Sequence, residues 1–129
     1  MNSEAITDGV LVKVISNYQA EASDPGKNQY IFSYTVTIEN RNDYSIRLLS
    51  RYWEIKDGMG AKRIVEGDGV VGKQPIIPSS KNHEYSSWCP LATTIGCMRG
   101  HYVMQRSHDN SVFKVAIPLF TMQEKCSSN

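Results

Sequence analysis

The sequence is short of most features that would announce a chemistry. It has no excess of charge: 14 Lys and Arg stand against 13 Asp and Glu in 129 residues, so no bulk field draws the chain to nucleic acid or to an anionic membrane. It has no apolar run approaching the roughly 18 residues that would span a bilayer. It has only three cysteines, Cys89, Cys97 and Cys126, which cannot all pair with one another. The start Met1-Asn2-Ser3-Glu4-Ala5 lacks the basic segment and apolar stretch of a secretory leader. Together the unmatched cysteine count and the plain start set the expectation of a reducing cytoplasm. Helical spacing is also missing: nowhere do roughly ten or more residues place apolar side chains three and four apart between capping residues.

The hydrophobic period is two wherever it can be read. Val10, Val12 and Val14 alternate with Leu11, Lys13 and Ile15, a strand apolar on both faces at its start. After a polar stretch with Asp24-Pro25-Gly26 as turn chemistry, Tyr30, Phe32, Tyr34, Val36 and Ile38 fall on one face of a half-buried antiparallel strand. Ser45 to Lys56 offers a third strand in which Leu49, Trp53 and Ile55 share a face. Asp57-Gly58-Met59-Gly60 then turns the chain so that Ala61 to Glu66 returns as the second half of a hairpin. Asn82 to Trp88, Met98 to Arg106 and Val112 to Phe120 supply further strands. Seven or eight short strands separated by Gly, Pro and Asx turns predict an all-β fold, a two-sheet antiparallel β-sandwich in a single domain over residues 1–129, with about 1–7 and 123–129 frayed. A β-barrel is the nearest competitor.

Four groups of residues could carry chemistry. Gly67-Asp68-Gly69-Val70-Val71-Gly72 fits the spacing of a dinucleotide cradle, but that cradle opens a helix, and Pro75 and Pro78 follow too closely for one. What survives is a glycine turn whose backbone N–H groups could nest a phosphate or pyrophosphate, with Gly67, Gly69, Gly72 and Lys73 as its residues and Arg63 as further charge; otherwise these glycines serve a bulge or a tight crossing between sheets. His83, His101, His108 and the cysteines suggest a zinc site, yet no two cysteines form a CxxC pair. Asp57, Glu66 and Asp68 would hold a hard cation only if the hairpin turn met the glycine loop. Tyr52, Trp53, Tyr85, Trp88 and Tyr102, with Arg47, Arg51, Arg63 and Arg99 nearby, could stack single-stranded nucleic acid, although core packing is the default for most of them. No spacing assembles a nucleophile, base and orienting group, and ordinary half-buried thiols account for Cys89 and Cys97. The expectation is a protein that binds and does not catalyse, with no cofactor and no metal.

The residues also carry a resemblance. Arg51-Tyr52-Trp53-Glu54-Ile55-Lys56-Asp57, then Val65 through Pro75, then Tyr85-Ser86-Ser87, Leu91-Ala92-Thr93 and Gly96 through Met104 closely resemble the signature of the ApaG family, and the likeness takes in the first strand and Phe113 to Phe120. Pro78-Ser79-Ser80 departs from the proline-glycine expected there. The resemblance implies a fibronectin type III or immunoglobulin-like sandwich, an association with cobalt and magnesium homeostasis and with a neighbouring diadenosine-polyphosphate hydrolase, and, from eukaryotic relatives, a protein-interaction role. It implies no reaction. Two readings follow: an adaptor module with a protein partner, capable of weak self-association, or a phosphate or nucleotide site at the glycine loop; membrane and nucleic-acid partners are not expected.

Overall fold

Period-two alternation in a chain without helical spacing leaves two packed sheets as the means of burying one face of every strand. The computed structural model describes residues 2–124 and has nine strands: β1 Asn2–Thr7, β2 Val10–Tyr18, β3 Tyr30–Asn40, β4 Ile46–Asp57, β5 Lys62–Asp68, β6 Ile76–Ile77, β7 Asn82–Leu91, β8 Ile95–Arg106 and β9 Val112–Gln123. Among the described residues, helix is confined to single 3₁₀ turns at Ala20–Ala22 and Pro25–Lys27, and no helix is long and apolar enough to cross a membrane. Sheet 1 has the order β1-β2-β3-β7 and sheet 2 the order β5-β4-β8-β9, with the short β6 pairing β4; every pairing is antiparallel. This is the predicted β-sandwich of fibronectin type III or immunoglobulin-like type.

The alternation of β3 appears as read: Phe32, Tyr34, Val36 and Ile38 are buried and their neighbours are not. Three other expectations are corrected. Residues 1–7 were expected to fray, yet Asn2–Thr7 form β1, in register with β2 from Asn2 opposite Ile15 to Thr7 opposite Val10; Met1 lies outside the described residues. The turn between them is Asp8-Gly9, both at positive φ, the hairpin dipeptide whose twist matches that of the flanking strands. At the other end, Gln123 closes β9 and the Glu124 N–H donates to the Thr94 carbonyl at 2.8 Å, while 125–129, Cys126 among them, lie outside the described residues.

The third correction concerns the face of β4. Leu48, not Leu49, is buried with Trp53 and Ile55, because the register with β8 slips between Leu48 and Ser50. The bulge adds one residue, so even positions face the core before it and odd positions after. The same parity switch occurs in β9, where Phe113, Val115 and Ile117 give way to Phe120 and Met122. That slip brackets Pro118, which has no N–H for a ladder.

The two lateral sides of the sandwich differ. On one, β2 and β1 close on β9: the Ser16 hydroxyl donates to the Thr121 carbonyl at 3.1 Å, and the Ala116 N–H to the Thr7 hydroxyl at 3.2 Å. On the other, the edges β7 and β5 face each other. The chain crosses between sheets at Asn40, a fully buried polar side chain. Its amide donates to the carbonyls of Tyr44 and Ile77 at 2.8 and 3.0 Å, and its oxygen accepts from the Asn42 N–H at 3.0 Å. Asn40 thus ties the end of β3 to the turn that follows and to β6. Asn40→Ala would orphan those three backbone groups, and a loss of roughly 3 kcal/mol in urea-unfolding stability is expected, comparable with the ~3 kcal/mol expected of Phe32→Ala from its cavity.

Candidate functional site

Directly opposed residues of an antiparallel pair share a face. On β4 and β5 these pairs are Trp53 with Val65, Ile55 with Arg63 and Arg51 with Gly67. Trp53 and Ile55 are 2 % and 6 % exposed, whereas Val65 is 39 % exposed and Arg63 is open to solvent. The cover that sheet 1 provides therefore ends between β4 and β5, and β5 projects beyond it with its core-side face bare. The result is a groove along the open side. Its floor holds Tyr34, Trp53 and Met98, and its rims are Arg51, Arg63 and Val65 from sheet 2 and Ser87, Trp88, Cys89 and Pro90 from sheet 1. Its volume, about 240 Å³, falls below the usual ~300–1,000 Å³ of a small-molecule pocket.

Two arginines set the electrostatics. Arg63 reaches across the gap, its guanidinium donating to the Pro90 carbonyl at 2.7 Å and approaching the Cys89 sulfur at 3.5 Å. Arg51 donates to the carbonyls of Asp68 and Gly69 at 3.1 and 2.9 Å. Among the described residues Arg41, Arg99 and Arg106 pair with carboxylates, while Arg51 and Arg63 do not. Burial pushes the Cys89 thiol up, against the pull of Arg63, the environment of a packed thiol.

Behind the groove three phenols stand in or against an otherwise apolar core. The Tyr85 and Tyr102 hydroxyls bond each other across the two sheets, and Ser87 counters part of the rise of the Tyr34 phenol. Burial raises all three phenols, against the opposing pull of Arg51. Trp88, by contrast, is 57 % exposed.

The glycine loop proves to be three separate devices. Gly67 does not have positive φ; a Cβ there would meet the Arg51 guanidinium at 3.3 Å, so its bareness makes room for that group. Gly69 has φ +61°, and a Cβ would lie 2.0 Å from the Lys73 carbonyl oxygen. Gly72 and Val71, at φ +74° and +49°, are the central residues of a tight turn closed by reciprocal bonds between Val70 and Lys73. The N–H groups of Gly69, Val70 and Lys73 thus donate to protein carbonyls, the first to that of Leu49.

Other predicted constellations are dispersed. Asp57 sits at the opposite end of the β4–β5 hairpin from Glu66 and Asp68 and accepts the Met59 and Ala61 N–H groups of its own turn. Among the described residues no three His, Cys, Asp or Glu side chains gather closely enough to hold an ion. The aromatic set is divided: Trp53 and Tyr102 are core, Tyr52 stacks on His101 on the outer face of sheet 2, and Trp88 stands at the groove. The sequence did contain the signal for Trp88. Tyr85 and Trp88 differ in parity within one strand, so they cannot share a face, and if Tyr85 and Cys89 point inward then Trp88 points out.

Two outcomes test this anatomy. Gly69→Ala should lose roughly 2 kcal/mol or more in denaturant unfolding, because strain and a backbone clash coincide, whereas Gly72→Ala meets nothing within 4 Å and should lose only the ~1 kcal/mol of a left-handed residue. The raised phenols fix a sign: the folded protein keeps phenolic protons where the unfolded chain, titrating near 10, has lost them. Their stabilisation is therefore complete below pH ~10 and drains away above it. Urea midpoints should fall as the pH rises past ~10, and fall less in Tyr85→Phe/Tyr102→Phe.

Residues 20–106 match the family profile described as the ApaG domain. A protein named ApaG from Mesorhizobium japonicum is 43 % identical over 118 residues, covering 92 % of this chain and 90 % of the relative. Another, from Pseudomonas paraeruginosa, is 49 % identical over 113 residues, covering 88 % and 89 %. A crystal structure described as an ApaA protein, from Bordetella pertussis, superposes with a TM-score of 0.88 at 39 % identity, covering 92 % of this chain and 95 % of that one. With its domain profile, its full-length relatives and its fold in agreement, the chain belongs to the ApaG family.

Proposed function

We propose that the protein is a non-catalytic binding module of the cytoplasm that engages a protein partner through the groove between β5 and β7. The observation that carries this reading is the bare core-side face of β5, where an apolar side chain and two guanidiniums without carboxylate partners lie beside the free edge of β7, at whose rim Trp88 stands exposed. Tryptophan and arginine are the residues most often found at interaction hot spots. The groove is also too small for most metabolites but open along two strand edges, as an extended protein segment requires.

The groove is preferred to the glycine turn as the binding site because the turn's N–H groups at 69, 70 and 73 already have protein acceptors. The association with cobalt and magnesium homeostasis that the family resemblance implies is assigned to the partner's activity and not to an ion held by this chain.

The test is affinity capture from a cell lysate with three immobilised forms: wild type, Trp88→Ala, and Val112→Ala, which alters an exposed residue of β9 away from the groove. The expected result is a protein retained by wild type and by Val112→Ala and weakened about 30-fold or more by Trp88→Ala, the ≥2 kcal/mol of a hot-spot truncation. Capture that survives Trp88→Ala with unchanged affinity would remove the groove from the reading.

A further inference from the structure

The groove has a backbone side as well as a side-chain side. In an antiparallel strand the N–H and C=O of one residue point to the same side, and successive residues alternate. The Pro90 carbonyl points away from β3, into the groove, where Arg63 bonds it. Its cross-strand partner Ile31 turns the other way: its N–H donates to the Ser23 hydroxyl, and its carbonyl accepts from the Gln19 N–H. By alternation, Trp88 and Ser86 also direct their N–H and C=O groups to the open side. Pro90 has no N–H to offer, so this open edge begins at Trp88.

A strand laid beside that edge would extend sheet 1 over the bare face of β5. Its inward side chains would fall on Arg63, Val65 and the position of Gly67, where the Arg51 guanidinium lies. Arg63 and Gly67 are four residues apart on one face of β5, about 13 Å along the strand, with Val65 midway. Inward side chains of an added strand recur every second residue, about 7 Å apart. Three successive inward positions therefore match arginine, valine, arginine.

Resting on the proposed groove, we infer that its partner is an extended segment of the pattern acidic-x-apolar-x-acidic, which adds to β7 as a fifth strand of sheet 1. The main chain bonds Trp88 and Ser86, the apolar side chain covers Val65, and each carboxylate meets one guanidinium. Arg63 keeps its bond to Pro90, since a guanidinium carries five N–H donors. No such carboxylate is supplied from within the described residues, and like-charged side chains at those positions would be repelled.

The probes are synthetic labelled peptides with a Glu-Thr-Val-Thr-Glu centre, its Lys-Thr-Val-Thr-Lys counterpart, and two forms of the first, N-methylated on one or the other alternate set of amides, read by fluorescence anisotropy on the intact protein. The acidic peptide should bind at least about tenfold more tightly than the lysine peptide, by an amount that shrinks with added salt. Arg63→Glu should invert that preference, and Val65→Lys, at an exposed position, should weaken the acidic peptide without unfolding the protein. N-methylation of one amide set should abolish binding and methylation of the other should spare it. Equal affinity for the two charge types, or an Arg63→Glu protein that is folded by circular dichroism yet keeps the wild-type preference, overturns the acidic pattern. Indifference to N-methylation overturns strand addition. If these fail while lysate capture still depends on Trp88, the groove stands and the assigned partner sequence falls; if capture ignores Trp88 and the acidic peptide does not bind, both fall.

Discussion

Two stacked antiparallel sheets, each twisting by roughly 20–25° per strand, cannot cover one another over their whole area. The architecture depends on where that cover runs out. On the β1–β9 side the sheets are drawn together by side-chain-to-backbone bonds from Ser16 and Thr7. The opposite side is left ajar, and there the Arg63 guanidinium spans from β5 to the Pro90 carbonyl of β7. Trp53 and Ile55 are sealed and their cross-strand partners are not. An all-apolar closure would have buried β5; an arginine there spans the gap while leaving the core-side face of β5 bare.

The three phenols behind that gap follow from the same geometry. Apolar residues of the same volume could fill the space occupied by Tyr34, Tyr85 and Tyr102, at no cost in unsatisfied groups. Instead the Tyr85 and Tyr102 hydroxyls pair with each other, and the Arg51 charge acts on all three phenols. Arg51 is fixed in turn by the carbonyls of Asp68 and Gly69 and by the space that Gly67 leaves. The glycine loop thus sets the position of a charged rim residue, a role that requires bare Cα atoms whether or not an anion ever visits.

Much of this fold was legible because alternation is a local property. The inward set of β3 and the β4–β5 hairpin needed only the period and the turn residues. What alternation cannot report is a change of its own phase. Leu49 reads as core by counting back from Trp53, and only the slip against β8 reveals that Leu48 takes the place; Pro118 hides the same event in β9. The β1 strand was missed for a different reason, since Asp8-Gly9 is a strong hairpin signal that the polar composition of Asn2–Thr7 obscured. The groove was least legible of all. Val65, Arg63 and Trp88 look like members of a core, a charged edge and an aromatic cluster, and which of them meet depends on the relative reach of two sheets built from segments far apart in sequence.

Sheet edges invite unwanted pairing, and proteins blunt them with prolines, charges and covering segments. Judged on that basis the four edges of this sandwich are not equivalent. The β9 edge carries the Pro118 bulge and receives Thr7 of β1. The β5 edge carries Lys62, Arg63, Glu66 and Asp68 in a strand of seven residues. At its other end β7 has Glu84, and at Pro90 it loses a donor, but the stretch between them, Ser86-Ser87-Trp88, bears neither charge nor proline. Only a few ladder bonds fit in such a window, enough for a short segment and too few for an extended sheet. Pairing at this edge is therefore limited by its two guarded ends and not by the residues between them.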